Sequence, residues 1–386
     1  MSPIPENQKS LAAIIVLSFL AGFSIGGIIP IVSLNLESRG VEPWLIGLNT
    51  AMPPLGVLLI APFLPTILDR WGTVNTLFCS ILVLTSTFSL LPIFTTVNMW
   101  LALRFLFGIG LGVIWIVTET WVNMVATPKN RGKIMGIYST VLASGFAIGP
   151  LVPAILGYQG ITPFFICAGV ILGGFIPLTL AHNLAPDLSL KNKYKFQFNF
   201  IFHLPIVAAA AFIAGLLDST TFTFLPIWGL RHGMYESSAI AMLTILVTGN
   251  IILQIPIGAL ADRFNKYNIL IICGILSFCA PPLVHFFMNK PLIQGAILFV
   301  WGGAFWGIYT IGLVLIGIHF KTKELTIANT SFVIIVNIAT LVSPPAAGIA
   351  IDFLNPDGLI WFFCITTVSF VLFTFWWQFR IKKSAF

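Results

Sequence analysis

One pattern of residues occurs twice in this chain at a constant spacing, and this repeat constrains the fold more than any other feature. Residues of the first copy have identical residues 193 positions later, in the pairs Phe19 and Phe212, Ala21 and Ala214, Gly22 and Gly215, Gly40 and Gly233, Asp69 and Asp262, and Arg70 and Arg263. Such self-similarity predicts two homologous halves. We place the halves at residues 1–182 and 201–386, joined by a polar linker at 183–200.

The composition excludes a water-soluble protein. Hydrophobic residues make up 58% of the chain and charged residues only 8%, and the mean hydropathy is +1.01. A soluble domain carries about 25% charged residues, because its surface must interact with water. We therefore expect the chain to lie in a membrane, with lipid as one of its partners.

Apolar runs long enough to cross a hydrocarbon core of about 30 Å recur along both halves. The predicted spans are 11–36, 45–68, 74–94, 98–122, 133–157, 161–182, 203–229, 237–260, 268–288, 292–319, 325–351 and 358–379. The expected fold class is an all-α integral membrane protein whose twelve transmembrane helices form two pseudo-symmetric bundles of six.

Lysines and arginines predict the orientation, because they concentrate in the short cytoplasmic loops of membrane proteins. With the N-terminus inside, fifteen of them fall in cytoplasmic segments, whereas only Arg39, Arg231 and Lys290 fall outside. Both termini are therefore expected in the cytoplasm, and the membrane is expected to be the plasma membrane, the inner membrane of a bacterium. The formal net charge of +7 then reflects topology and anionic lipid headgroups, and no nucleic acid is expected as a partner.

The sequence gives no sign of an enzyme, a cofactor or a metal centre. All five cysteines fall within predicted spans, which indicates small buried apolar residues, and neither they nor the five histidines have metal-ligand spacing. Among the histidines only His285 is a candidate for a role. Phosphate-binding loops and catalytic motifs are absent from the sequence, which excludes transport driven directly by ATP.

The loop after the second predicted helix and its repeat resemble the signature of the major facilitator superfamily. In that family a glycine precedes an Asp-Arg pair, and a second glycine and basic residues follow the pair. The second copy here keeps Gly258, Asp262 and Arg263 but has Asn265 in place of the next glycine. The first copy keeps Asp69, Arg70 and Gly72. It has Pro65 at the position of the leading glycine, and Thr73 and Val74 at the positions of the basic residues.

Two further stretches are similar to the same family. The fourth helix contains Arg104 followed by Gly108, Gly110 and Gly112. The fifth contains Gly136, Gly145, Gly149 and Pro150, which resembles the helix-bending motif of the family's antiporters, although Pro153 and Ala154 replace its final glycine pair. The run Glu119, Thr120, Trp121 is similar to a bacterial drug- and sugar-efflux-like subgroup.

Three ionisable residues lie inside predicted spans, where charge is costly and therefore marks candidate functional positions. Arg104 and Asp218 lie about 10 and 16 Å from the outer ends of their helices. The resemblance places their helices around a central cavity, so we consider a pair that forms in one access state and breaks in another, with Asp218 carrying the proton. The alternatives are a permanent ion pair or separate hydrogen-bonded anchors.

Glu119 lies near the cytoplasmic end of the same helix as Arg104. It is a candidate for a gate salt bridge with Arg70, Arg131 or Lys133, and the alternatives are a proton carrier or a substrate contact. We also interpret Asp69, Arg70, Asp262 and Arg263 as gating and helix-fastening residues rather than transport sites. The candidate substrate-binding residues are Arg104, Trp115, Thr221, Phe222, Asn250, Gln254, Trp306 and Tyr309.

Helix packing is an alternative role for Asn250 and Gln254, and core or lipid contact is an alternative for the aromatic residues, among which Trp301, Trp306 and Tyr309 are expected to form a cluster. The predicted function is secondary active transport of a small organic solute by alternating access, as proton-coupled efflux. Proton-coupled uptake and a non-transporting sensor or accessory protein are the alternatives. The resemblance implies a monomer.

Overall fold

A computed structural model describes residues 6–125, 131–182, 185, 204–320 and 323–384. All regular secondary structure within these ranges is helical. The helices are α1 (Glu6–Ser38), α2 (Pro43–Ile60), α3 (Leu64–Leu90), α4 (Val97–Val125), α5 (Arg131–Ile148), α6 (Leu151–Leu156), α7 (Thr162–Leu172), α8 (Phe175–Leu180), α9 (Pro205–Arg231), α10 (Glu236–Arg263), α11 (Lys266–Phe286), α12 (Pro291–His319), α13 (Lys323–Phe353) and α14 (Gly358–Ser384).

Twelve helical spans in the described residues are long and apolar enough to cross a membrane, which confirms the predicted number. Helices α5 and α6 form one of these spans, Ile137–Leu156, and α7 and α8 form another, Thr162–Leu180. The polypeptide departs from a regular helix at Gly149 and Pro150, between α5 and α6. Proline lacks the N–H group that would continue the hydrogen-bond ladder there.

The second predicted span, 45–68, is wrong at its end. Helix α2 ends at Ile60, and residues 61–63 form a turn before α3 begins. Pro65 lies in the first turn of α3, where its missing N–H group prevents α2 from continuing. The turn into the third span is instead made within α3 at Gly72, which has φ 73° and ψ 164°.

The described chain divides into two compact units. Unit 1 comprises Met1–Gly40 and Leu48–Lys193, and unit 2 comprises Val41–Gly47 and Tyr194–Phe386. In unit 1, α1 packs against α4, α5 and α7, and α3 packs against α4 and α7. In unit 2, α9 packs against α12 and α13, and α12 also contacts α10 and α11. The predicted linker lies outside the described residues except for residue 185.

The same kind of close glycine contact occurs within each unit. A Cβ atom on Gly108 of α4 would lie 2.1 Å from the carbonyl oxygen of Pro53 on α2. A Cβ atom on Gly302 of α12 would lie 1.8 Å from the carbonyl oxygen of Leu246 on α10. Only glycine allows backbones to approach this closely, and such contacts hold membrane helices together because lipid supplies no hydrophobic driving force between them.

The turns after α1 and α9 are also equivalent. Gly40 and Gly233 have φ values of 71° and 80°, a left-handed conformation that glycine adopts without steric cost. The Gly40 N–H donates to the Glu37 carbonyl oxygen at 2.9 Å, and the Gly233 N–H donates to the Leu230 carbonyl oxygen at 2.9 Å. The repeat seen in the sequence therefore corresponds to repeated backbone geometry.

The cysteines are only partly buried, which corrects one expectation. Cys167 and Cys273 are buried, Cys279 and Cys364 are half-buried, and Cys79 on α3 is exposed. Many large apolar side chains are exposed in the same way, including Ile155, Leu180, Ile255 and Phe379. A thiol, like these side chains, tolerates an apolar surrounding, so exposure on a membrane-spanning helix does not require contact with water.

We expect Gly108→Ala and Gly302→Ala each to destabilise the protein by about 1–3 kcal/mol, because the added methyl group overlaps a backbone carbonyl that cannot move alone. The measurement is the apparent melting temperature of the purified protein in detergent. Gly169→Ala and Gly317→Ala are matched controls, because a Cβ atom at these helical glycines would meet nothing within 4 Å. Equal melting temperatures for all four variants would contradict the packing account.

Candidate functional site

Arg104 is the most deeply buried charged residue among the candidates. Only 1% of its surface is exposed, between the buried neighbours Leu103 and Phe107 on α4. Its guanidinium carbon lies 5.2 Å from the centre of the Phe107 ring. The Nε and Nη1 atoms have no hydrogen-bond partner in the described part of the chain. A buried cation with unpaired N–H groups is costly, so this position is suited to an anionic partner.

Glu119 lies fifteen residues further along α4 and is exposed. Its carboxylate accepts a hydrogen bond from the half-buried side chain of Trp115, one turn earlier. The neighbouring hydroxyl of Thr118 lies 3.5 Å from the hydroxyl of Tyr138 on α5. Trp115 and Glu119 are thus brought together. Arg131 and Lys133, two of the three expected partners of Glu119, lie in the first turn of α5, but their side chains lie outside the described residues.

Asp218 occupies the middle of α9, the central helix of unit 2. Every residue from Ser219 to Gly229 on this helix is buried, and Asp218 is half-buried. Its neighbour Ser219 bonds to Ser343 on α13, with the two hydroxyl oxygens 3.0 Å apart. Within the described residues of unit 2, Asp218 has no hydrogen-bond or ion-pair partner. The Thr221 hydroxyl, one turn later, also lacks a partner among the described residues.

Helix α12 connects the other candidates of unit 2. The ring of Trp306 meets the ring of Phe222 on α9 edge-on, with centroids 6.2 Å apart. The Thr310 hydroxyl donates to the side-chain oxygen of Gln254 on α10. The Gln254 nitrogen has no partner within the described ranges. We call Phe222, Gln254, Trp306 and Thr310 the α12 seam; it joins three helices and retains an unsatisfied amide.

The expected aromatic cluster on α12 is only partly formed. Trp306 stacks on Phe305, with ring centroids 4.0 Å apart. Trp301 instead packs against Phe363 on α14 at 5.3 Å, and Tyr309 packs against Phe332 on α13 at 5.1 Å. Positions 301 and 306 differ by about 140° around a helix, so their side chains point to different neighbours. Asn250 is half-buried on α10, one turn before Gln254.

Each predicted gating pair lies just before the chain turns into the next span. Asp69 and Arg70 are exposed and precede the turn at Gly72, and Asp262 and Arg263 are exposed at the end of α10. In the fifth span, Gly145 and Gly149 face the backbone of α1, where a Cβ atom would meet the Phe19 carbonyl oxygen at 2.3 Å and the Gly27 nitrogen at 2.5 Å. Their roles in gating and helix bending, like the pairing of Arg104 with Asp218, remain predictions.

Two features escaped the sequence analysis. Thr310, the partner of Gln254, was not among the candidates, because it lies 56 positions away on another helix. A group of His232, His285 and Asp357 also comes together in unit 2. The predicted topology contained a signal for this group, since it places all three residues at the outer ends of spans or in the last outer loop. The spacing of the three residues along the chain gave no such signal.

Comparison with known proteins identifies the family. The profile of the Major Facilitator Superfamily matches residues 14–324 and, in a second match, residues 207–385. The chain belongs to the Major Facilitator Superfamily. It is 25% identical over 374 residues to the uncharacterised MFS-type transporter YfkF of Bacillus subtilis, covering 92% of each chain. It is 21% identical over 345 residues to the MFS-type transporter YcaD of Salmonella paratyphi B, covering 88% of each.

Solved structures of other transporters have the same fold as this chain. The crystal structure of the nucleoside transporter NupG has a TM-score of 0.77 and 13% identity, with 97% of this chain and 99% of that chain covered. A bacterial homologue of the human lysosomal transporter Spinster, in an inward-facing, unoccupied conformation, has a TM-score of 0.74 and 14% identity, with 97% and 96% covered. The family and these relatives indicate a transporter of small molecules rather than an enzyme.

We expect Arg104→Met to leave the melting temperature of the ligand-free transporter unchanged or raised, because replacing an unpaired buried cation by an apolar side chain removes its desolvation cost. Trp121→Phe is the matched comparison. The buried Trp121 indole donates to the Ser10 hydroxyl at 3.0 Å, and its loss is expected to destabilise the protein by about 1–3 kcal/mol. A comparable loss of stability in Arg104→Met would show that Arg104 is a structural residue.

Proposed function

We propose that this transporter exports a small amphipathic organic anion in exchange for protons, by alternating access between the two sides of the membrane. The observation that carries the proposal is the state of Arg104, which is buried with two N–H-bearing nitrogens unpaired. The fold accounts for transport by alternating access, and Arg104 accounts for the choice of an anionic substrate. A carboxylate or phosphate accepts strong, charge-assisted hydrogen bonds from a guanidinium group, so an anionic substrate would give the unpaired N–H groups of Arg104 a partner.

Unit 2 supplies the proton site in this proposal. Asp218 is half-buried in the most enclosed helix of its unit and has no polar partner there. Loss of water favours the neutral form of a carboxyl group, and contact with water or a cation favours the ionised form. A carboxyl group whose surroundings change during the cycle therefore binds a proton in one state and releases it in another. Glu119 is a second proton-carrying candidate.

The α12 seam supplies contacts for the apolar body of the substrate. The Phe222 and Trp306 rings meet edge-on and present aromatic surface, and the unpaired Gln254 nitrogen adds a hydrogen-bond donor. Ligand sites combine apolar and aromatic walls with a few polar groups that fix orientation. Thr221, Tyr309 and Asn250 complete the proposed site in unit 2, and Trp115 belongs to its counterpart in unit 1.

Glu119 is proposed to act mainly as a gate on the predicted cytoplasmic side, together with Arg131, Asp69, Arg70, Asp262 and Arg263. Trp115 fixes its carboxylate through a hydrogen bond within α4. A carboxylate restrained by such a bond loses less conformational entropy when it forms a salt bridge than a freely rotating one does. This position is therefore suited to closing and opening contacts with basic side chains.

Export by antiport is preferred to uptake because Gly145, Gly149 and Pro150 resemble the antiporter motif of the family. Uptake by symport would use the same proton and substrate groups. A non-transporting sensor of this fold would show no proton-dependent flux. The nucleoside transporter NupG shares the fold at 13% identity, so this likeness does not assign nucleosides to the present protein.

We expect Asp218→Asn to reduce solute export driven by a pH gradient at least tenfold while leaving solute exchange at equal pH intact. The amide resembles the neutral carboxyl group but cannot release a proton, so only the coupled reaction is lost. The measurement is flux from proteoliposomes loaded with the amphipathic aromatic carboxylate that gives the largest stabilisation of the purified protein in a thermal-shift screen. Asp218→Glu is expected to retain part of the coupled flux.

Glu236→Gln serves as the matched control, because Glu236 is an exposed carboxylate in the first turn of α10. Solute export by this variant is expected to equal export by the wild type. Equal pH-driven export by Asp218→Asn and wild type would remove Asp218 from the coupling mechanism. An inwardly directed proton gradient that fails to drive export, but drives uptake, would favour symport.

We expect Glu119→Gln to open the predicted cytoplasmic side, because the amide cannot hold a gate by charge. In a background without the five native cysteines, an Ile137→Cys reporter on α5 is expected to react faster with a membrane-impermeant maleimide from that side. Ile137 is exposed and lies near the start of α5. Glu119→Asp, which keeps the charge, is the control. Identical labelling rates in both variants would exclude a gating role for this charge.

A further inference from the structure

Three metal-ligating side chains meet at one end of unit 2. His232 follows the last residue of α9, His285 lies in the last turn of α11, and Asp357 lies in the turn between α13 and α14. One ligand atom from each residue lies within 4.8 Å of the other two. We propose that these residues form a binding site for a transition-metal ion of the Zn²⁺ type, separate from the proposed transport site.

Two of the three distances between ligand atoms match those of a tetrahedral ion. The Nε2 atom of His232 lies 3.3 Å from Oδ1 of Asp357, and Nδ1 of His285 lies 3.4 Å from the same oxygen. Zn²⁺ binds histidine nitrogens and carboxylate oxygens at about 2.0–2.2 Å, which places neighbouring ligand atoms of a tetrahedron about 3.3–3.5 Å apart. Two histidines and one aspartate leave a fourth position for water or a solute.

The orientation of the His232 ring is set by its backbone contact. Its Nδ1 atom lies 2.9 Å from the carbonyl oxygen of Trp228, so Nδ1–H donates to that oxygen. The Nε2 atom, on the other side of the ring, faces the Asp357 carboxylate oxygen and is placed to bind a metal ion there. An N–H donated to a backbone carbonyl is the usual way in which a metal-ligating histidine is oriented.

A metal ion would contact all three side chains at once. The two imidazole ring centroids lie only 5.2 Å apart, and one divalent ion can bind a nitrogen lone pair of each ring together with the carboxylate. The C-terminal ends of α9 and α11 also favour a cation, because helix dipoles are negative there.

The surroundings hold the ligands in place and leave them accessible. The buried Trp228 ring packs 4.4 Å from the His232 ring and 5.8 Å from the His285 ring, and its Nε1 atom lies 3.4 Å from Oδ1 of Asp357. The side chains of His285 and Asp357 are each 44% exposed, so an ion can enter. The nearby Arg231 guanidinium opposes a cation, but it donates to the Asn355 side chain at 2.7 Å.

The ligand types select the metal. Imidazole nitrogens suit zinc, copper and nickel, whereas magnesium and calcium prefer sites made of oxygen atoms alone. The predicted topology places the site on the outer surface, where ions of the surrounding solution reach it. An ion bound there would tie the ends of α9 and α11 to the start of α14 and so stabilise unit 2.

The test uses the purified full chain in detergent after treatment with a chelator. Zn²⁺ is titrated by calorimetry, and Co²⁺ is added separately to detect the visible absorption of a tetrahedral site. We expect one Zn²⁺ per chain, a tetrahedral Co²⁺ spectrum and a higher melting temperature with Zn²⁺. His285→Gln and Asp357→Asn are each expected to weaken Zn²⁺ binding at least about tenfold.

His319→Gln is the matched control. The His319 ring also bonds to a carbonyl oxygen one turn earlier, with Nδ1 2.9 Å from the Leu315 oxygen, but His319 is not a member of the three-residue group. Unchanged Zn²⁺ binding is expected for this variant, and metal-free melting temperatures confirm that all variants fold. Absence of Zn²⁺ binding by the wild type would overturn the proposal, as would equal binding by His285→Gln or a melting temperature that responds to pH but not to Zn²⁺.

Discussion

Inside a bilayer the helix backbone satisfies its own hydrogen bonds, so helices associate only through close packing and through the few polar side chains between them. The structure meets this constraint with glycines. Gly108 and Gly302 bring the fourth span of each unit against the backbone of the second, in nearly the same place in both repeats. Because the backbones meet directly, little room is left for side chains, and each polar group that remains buried stands out as a candidate for function.

Arg104 and Asp218 follow from the same constraint. The guanidinium group lies buried among apolar residues of unit 1, and the carboxyl group lies on the most enclosed helix of unit 2. Neither position contributes an evident packing advantage, and a charge at membrane depth is costly. Helix α9 additionally links two sites, because Asp218 lies about 21 Å along the helix from His232 at 1.5 Å per residue. A metal ion at its end would restrain the helix that carries the proposed proton site.

Much of the fold was predictable because its signals are local or strictly repeated. Hydrophobic runs gave twelve spans, and the repeat paired Gly40 with Gly233, which adopt the same left-handed conformation in the two units. The break before α3 was missed, although Pro65 marks it, because the surrounding apolar run extends past the turn. Contacts between helices that are distant in sequence could not be predicted. The partners Gln254 and Thr310 are 56 positions apart, and Trp228 and Asp357 are 129 positions apart. Which residues share a helix face can be read from the sequence, but which helix that face meets cannot.

The most direct test of the central claim is a thermal-shift screen of the purified protein against a broad solute panel, in parallel for wild type and Arg104→Met. A ligand present at 100 times its dissociation constant stabilises the folded state by about 2.7 kcal/mol, which such a screen detects. The account predicts that amphipathic organic anions stabilise the wild type and that this stabilisation is lost in Arg104→Met, while uncharged analogues have little effect on either. Stabilisation by the same anions in both proteins, or by neutral solutes alone, would contradict the assignment of Arg104 as the anion-binding residue.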